Sequence, residues 1–172
     1  MAFEVTGVKE IIKTLNSLPK ELDVKKRRLI LRQSAVIFKD AARRLAPVGK
    51  KWHARYKDGK LIGIYSPGNL RDSIGLLTFR KAKTAVFVGA KTRHRGAKVE
   101  AEGQKLIMAD GYYAAMVEEG HVYKTEFGSK KTPAQPFMRP AFVNNQGKVR
   151  EDIARRVEKV VKAWLKKNTV SK

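Results

Sequence analysis

Cysteine is missing from all 172 residues, which excludes thiolate nucleophiles, Cys-ligated zinc and disulfide staples. Its absence suits a reducing compartment. Histidine is scarce: His53, His94 and His121 stand singly, and none forms the close pair of a His-Glu-x-x-His site. All three are expected in surface loops. No Gly-x-Ser-x-Gly elbow occurs. Gly49-Lys50-Lys51 lacks both the leading Gly and the hydroxyl of a phosphate-binding loop. Glu118-Glu119 is an adjacent acid pair beside a Gly and a His, but successive side chains diverge, so adjacency alone builds no acid/base or metal site. The expectation is no enzyme, no metal and no cofactor. Long apolar runs are also lacking. No stretch approaches the ~20 residues needed to span a bilayer, and Met1-Ala-Phe-Glu-Val-Thr-Gly lacks the basic-then-apolar run of a signal peptide. A soluble protein is expected.

Acidic residues are the other shortage. Asp plus Glu total 16 against 38 Lys plus Arg, a formal charge of +22. Hydrophobic residues nevertheless make up 42% of the chain, which excludes a wholly disordered basic tail and leaves enough for one packed domain spanning 1–172. The charge is segmented. Residues 20–60 carry +10, 80–98 hold 7 basic residues and no acid, 99–126 carry −4, and 139–172 return to +7. Basic segments attract DNA, RNA or acidic protein surfaces, or simply keep a surface solvated.

Residues 3–6 read as a short strand, and Val8, Ile11, Ile12, Leu15 and Leu18 as a helix over 7–19. A longer helix is expected across 20–46, with Ile30, Ser34, Ile37, Phe38, Ala41 and Leu45 on its core face and Pro47 closing it. Residues 48–68 read as a loop, broken by Gly49, Gly59, Gly63, Pro67 and Gly68. Two strands, 73–80 and 84–90, suggest an antiparallel pair. Residues 91–111 are polar and Gly-punctuated, 112–119 fit helix or strand, and 120–135 read as another loop. Pro140 suits the first turn of a final helix, in which Val149, Ile153, Val157, Val160, Val161 and Trp164 repeat at helical spacing. The sum is an α+β fold: a small antiparallel sheet packed by the long N-terminal-half helix and the C-terminal amphipathic helix.

The 50–57 stretch sets Trp52 and Tyr56 among Lys50, Lys51, Arg55 and Lys57. Aromatics stack on bases while cations hold phosphates, and the same residue types anchor protein interfaces. These six residues are the candidates for a subunit or DNA contact.

Four ordered stretches carry a resemblance. They are Phe3-Glu-Val-Thr-Gly-Val-Lys-Glu; Ala46-Pro47-Val48-Gly49 with Gly68-Asn69-Leu70-Arg71-Asp72-Ser73-Ile74; Tyr113-Ala114 through Val117-Glu118; and Pro133-Ala134-Gln135-Pro136-Phe137-Met138-Arg139-Pro140-Ala141-Phe142. In this order they resemble the phage HK97 gp10-like neck or tail-completion proteins, with residues 50–67 and 91–111 as loop insertions. The family's Glu-Phe-Gly-Thr segment has two candidates here, Glu118-Glu119-Gly120-His121 and Glu126-Phe127-Gly128-Ser129.

The resemblance implies a non-enzymatic virion protein of a tailed phage. Such a protein completes the tail end or forms part of the head–tail neck as a homo-oligomeric ring, assembled in the host cytoplasm. Its partners would be copies of itself, other neck and tail proteins, and non-specifically the phage DNA, with no membrane. A ring needs head-to-tail interfaces, and the acidic 99–126 segment of one subunit is expected to meet a basic segment of the next. The alternative is a stand-alone basic nucleic-acid-binding protein. Within the motifs, Gly68 and Asn69 suit a turn, Asn69 or Asp72 is expected to cap a local helix, and Phe137 and Phe142 are expected to anchor the last helix to the sheet.

Overall fold

The computed structural model describes residues 23–57, 59–79, 81–82, 84–92, 99–101, 104–107, 110–125 and 128–169. The strand at 3–6, the helix at 7–19, the first motif and His94 lie outside the described residues.

Helix α1, Val24–Leu45, starts where Asp23 accepts a 2.7 Å bond from the Lys26 amide, satisfying one of the orphan donors of a helix start. It ends at Ala46, one residue before Pro47. Its buried residues are Ile30, Ser34, Ala35, Ala41 and Ala42. Leu45, expected in the core, is exposed, because the chain turns away at Ala46.

The region expected to be a loop at 48–68 is a β-hairpin, β1 His53–Lys57 and β2 Lys60–Tyr65. Gly59 turns it with φ +72°, a backbone conformation that glycine reaches at little cost. The short helix α2, Asn69–Ser73, leads into β3 Ile74–Leu77, which pairs antiparallel with β4 Phe87–Ala90 in the register Ile74↔Ala90. Within the expected 91–111 loop lie two more strands, β5 Val99–Ala101 and β6 Gln104–Ile107. Then come helix α3, Ala114–Glu119, and a second unexpected hairpin, β7 His121–Thr125 with β8 Gly128–Thr132. The C-terminal segment is two helices, α4 Met138–Val143 and α5 Gln146–Thr169. They break at Asn144 and Asn145, where the Asn145 side chain donates to the Ala141 carbonyl at 2.8 Å. Pro140 sits in the first turn of α4, as expected.

The α+β class holds. The strands form three small sheets, ordered β1-β2-β6-β5, β3-β4 and β7-β8, antiparallel except at β2-β6. The core has two centres strung along α1. Its N-terminal half packs Ile30 against Val149 and Ile153 of α5. Its C-terminal half packs Ala41, Ala42 and Ala46 against Leu70, Ile74, Phe137 and Ala141. Phe137 is fully buried there. Phe142 goes elsewhere than the sheet: its ring stacks on Phe38 of α1 at 5.0 Å, an aromatic pair that adds about 0.5–1.5 kcal/mol beyond its buried area.

Polar links tie the helix layer, and Arg156 of α5 donates to the Gln33 side chain of α1 at 2.7 Å. Asp152 of α5 is buried and accepts from Ser34 of α1 at 2.8 Å, from Arg156 at 2.6 Å, and from Arg155. The Arg156 bond, with those of Arg155 and Ser34, outweighs burial and lowers its pKa from 3.8 to about 2.

Candidate functional site

The second motif turns into a clamp. Gly68 takes φ +81° at the start of α2, and the Asn69 amide donates to the Ser66 carbonyl at 3.2 Å. The expectation that Asn69 or Asp72 caps this helix is not met: the N-cap is Gly68, and no side chain bonds there. Asn69 is buried and spends its carboxamide on Asp110 instead, donating to its carbonyl at 2.5 Å and accepting from its amide at 2.9 Å. A side chain that matches both backbone groups of a distant residue satisfies two buried groups at once. The Asp110 carboxylate in turn accepts from the Tyr65 hydroxyl and the Tyr112 amide, each at 3.2 Å. Ser73 bonds the Leu70 carbonyl at 2.6 Å. Gly111 lies so close that an added Cβ would overlap Ser73 Oγ and the Ala90 Cβ. Arg71 and Asp72 pair on the surface at 3.0 Å.

The third and fourth motifs meet through one carboxylate. Glu118, at the end of α3, accepts from the amides of Phe137 and Met138 at 2.8 and 2.9 Å with one oxygen. Its other oxygen accepts from Arg139 at 2.9 Å. Those are the amides of the first turn of α4, which have no partner within the helix. A charged acceptor there is doubly favoured, by strong hydrogen bonds and by the helix dipole. Gly120 follows with φ +74°, and an added Cβ would sit 2.8 Å from the Thr132 carbonyl oxygen and 2.9 Å from the Ala134 nitrogen. Glu118 and Gly120 thus set the path from α3 through the β7–β8 hairpin to Pro136, Phe137 and Pro140.

These segments surround a cleft of about 410 Å³. Pro47 and Leu70 come from the second motif, Tyr113 and Val117 from the third, and Pro133 and Gln135 from the fourth. Lys51, His53 and His121 add basic or imidazole groups, and among the described residues no acid lines the cleft. The two histidines sit on strands β1 and β7 rather than in loops. The Nδ1 atom of His121 is buried with no hydrogen-bond partner among the described residues. His53 stacks on Tyr65 at 5.1 Å and meets the edge of Tyr113 at 5.7 Å. Burial against these rings lowers its pKa from the ordinary imidazole value.

The six candidates at 50–57 divide. Lys50 and Lys51 are exposed ahead of β1. Arg55 turns inward, its guanidinium 3.8 Å from the Tyr112 ring centroid, and its hydrogen bond to Tyr65 raises its pKa. Trp52 and Tyr56 face solvent at 57% and 64% exposure, with Leu61 opposite Tyr56 and also exposed. Lys57 closes the strand at the turn. The acidic 99–126 segment loses two of its acids as surface groups, since Asp110 is buried and Glu118 is committed to α4. Sequence reading missed Tyr65, Asp110 and Tyr112. Asp58-Gly59, a two-residue hairpin signal, points to the β1–β2 turn, but nothing local announces the buried carboxylate.

Among the described residues no three His, Asp or Glu side chains gather to hold a metal ion. No described helix is long and apolar enough to cross a membrane. A search of curated proteins and of solved structures finds no match. A family model, "Bacteriophage HK97-gp10, putative tail-component", matches residues 9–120, taking in Glu118-Glu119-Gly120 and ending before Glu126. The chain belongs to the HK97 gp10-like family.

Proposed function

We propose that this family member is a non-enzymatic virion protein that completes the tail end or forms part of the head–tail neck as a homo-oligomeric ring. The observation that carries the reading is the convergence of three motif segments on one cleft. Asn69, Ser73, Glu118 and Gly120 spend their chemistry on backbone, and the result is a shaped surface. Beside it the β1–β2 hairpin holds Trp52, Tyr56 and Leu61 in solvent. Exposed aromatics on a stiff support are what interface anchors look like. A ring needs two different complementary faces on each subunit. The cleft with its hairpin is one such face, and residues 50–57 contact the neighbouring subunit there.

Electron microscopy of a lysate from a phage carrying a nonsense allele tests the role. Filled heads beside unjoined or defective tails are expected. Normal infectious virions would reject the reading and favour a stand-alone nucleic-acid-binding protein.

A further inference from the structure

The base of the β7–β8 hairpin, at His121 and Thr132, lines the cleft. Beyond it, among the described residues, its strands pair only with each other and add no residue to either core cluster. Two-stranded ribbons are marginal alone, so the rigid base at Gly120, pressed against Thr132 and Ala134, is what fixes its direction. Lys124, Lys130 and Lys131 are all exposed, and none has a hydrogen-bond or ion-pair partner among the described residues. The register sets Val122 opposite Lys131, Tyr123 opposite Lys130 and Lys124 opposite Ser129. Directly opposed residues share a face and neighbours alternate, so Lys124 and Lys131 leave one face and Lys130 the other. Residues 121–132 contain a single acid, Glu126.

Cations on both faces of a narrow ribbon suit a polyanion that flanks it on both sides. Two strands about 4.8 Å apart fit a duplex major groove about 12 Å wide, whose walls are phosphate backbones. An acidic protein surface laid against one face would leave the other face's lysine idle. The lysines also discourage strand addition along the open edges by a second copy. The helix layer is less suited. On α5, Arg155 and Arg156 are held by Asp152 and Lys162 by Glu158. Lys148, Lys159 and Lys166 share that helix with three acids.

We propose that the β7–β8 hairpin is a DNA-contacting arm that grips duplex phosphates without reading sequence. The inference rests on the proposed place at the tail end or neck, through which DNA passes, and a ring would multiply a weak contact per subunit by its copy number.

The test uses the full-length protein, a random 40-bp duplex and fluorescence anisotropy across a salt series. Replacing Lys124, Lys130 and Lys131 together by Gln is expected to weaken binding and to flatten the log–log salt slope by about 2.7, roughly 0.9 for each phosphate no longer neutralised. The thermal midpoint should stay at the wild-type value. Replacing Lys148, Lys159 and Lys166 by Gln should leave the slope in place. An unchanged slope in the hairpin variant, or no wild-type binding, overturns the arm. Lost infectivity with an unchanged slope also overturns it, in favour of a protein partner. Sedimentation of the same samples reads the ring independently: a monomer with the hairpin-dependent slope keeps the arm and defeats the ring.

Discussion

The helix layer and the strand-built rim around the cleft solve the same problem in different ways. In the layer, α1 and α5 bury an apolar stripe, and the buried polar groups are Ser34 and Asp152, which meet each other. In the rim the buried polar residues are Asn69, Ser73 and Asp110, and each is committed to backbone or to Tyr65. The layer would lose a tether without its polar link and keep its packing. The rim shares the larger apolar cluster through Leu70 and Ile74, and hydrogen bonds at defined positions fix its shape on top of that packing. A surface meant for docking gains from that arrangement, since directional bonds fix geometry more narrowly than apolar contact does.

The most damaging change should be the one that removes the joint between the two regions. Phe137→Ala empties the fully buried site between α1, Leu70 and Ile74 and is expected to cost about 3–5 kcal/mol in urea unfolding, lowering both regions in one transition. Next, Glu118→Ala leaves the Phe137, Met138 and Arg139 amides without their acceptor. A loss of about 2–3 kcal/mol is expected, partly recovered in Glu118→Gln, and hydrogen exchange should speed up at those three amides while α5 stays protected. The helix layer is probed by acid. Asp152 has its folded pKa depressed from 3.8 to about 2, so its contribution is fully present above the unfolded value and is lost as pH falls toward 2. That contribution is about 2 kcal/mol. Stability measured from pH 6 to 2 should fall in that window, and Asp152→Asn should flatten the fall. The smallest stability effect belongs to Trp52→Ala with Tyr56→Ala, within about 0.5 kcal/mol because both are exposed. The same double change should abolish ring formation in sedimentation. If it unfolds the protein instead, the rim is part of the core and the contrast between the regions collapses.

The two regions are not equally legible in sequence. Helix α1 is visible in the periodicity of Ile30, Ser34 and Ala41, with Pro47 as its stop, because a helix buries one face on a local repeat. The β3–β4 pair is visible in its β-branched and apolar run. The two hairpins around the cleft read as loops. In β1–β2 the polar and glycine content masks a short strand whose turn signal, Asp58-Gly59, is present. Between β7 and β8 the sequence reads Glu126-Phe127, which is not one of the favoured two-residue hairpin pairs. The motif residues of the cleft are found through resemblance, yet their tasks are not. That Asn69 holds Asp110 across 41 positions, or Glu118 the start of α4, depends on contacts that no local pattern encodes.

Ser34 and Asp152 meet across 118 positions. A ribosome adding 5–20 residues per second takes about 6–24 s to make the second after the first. Throughout that interval the nascent chain carries α1 with its Ile30 end uncovered and its serine unanswered. The Ile30 end of the helix layer therefore closes only as the last helix emerges, and a chain truncated before that helix keeps an open apolar seam there.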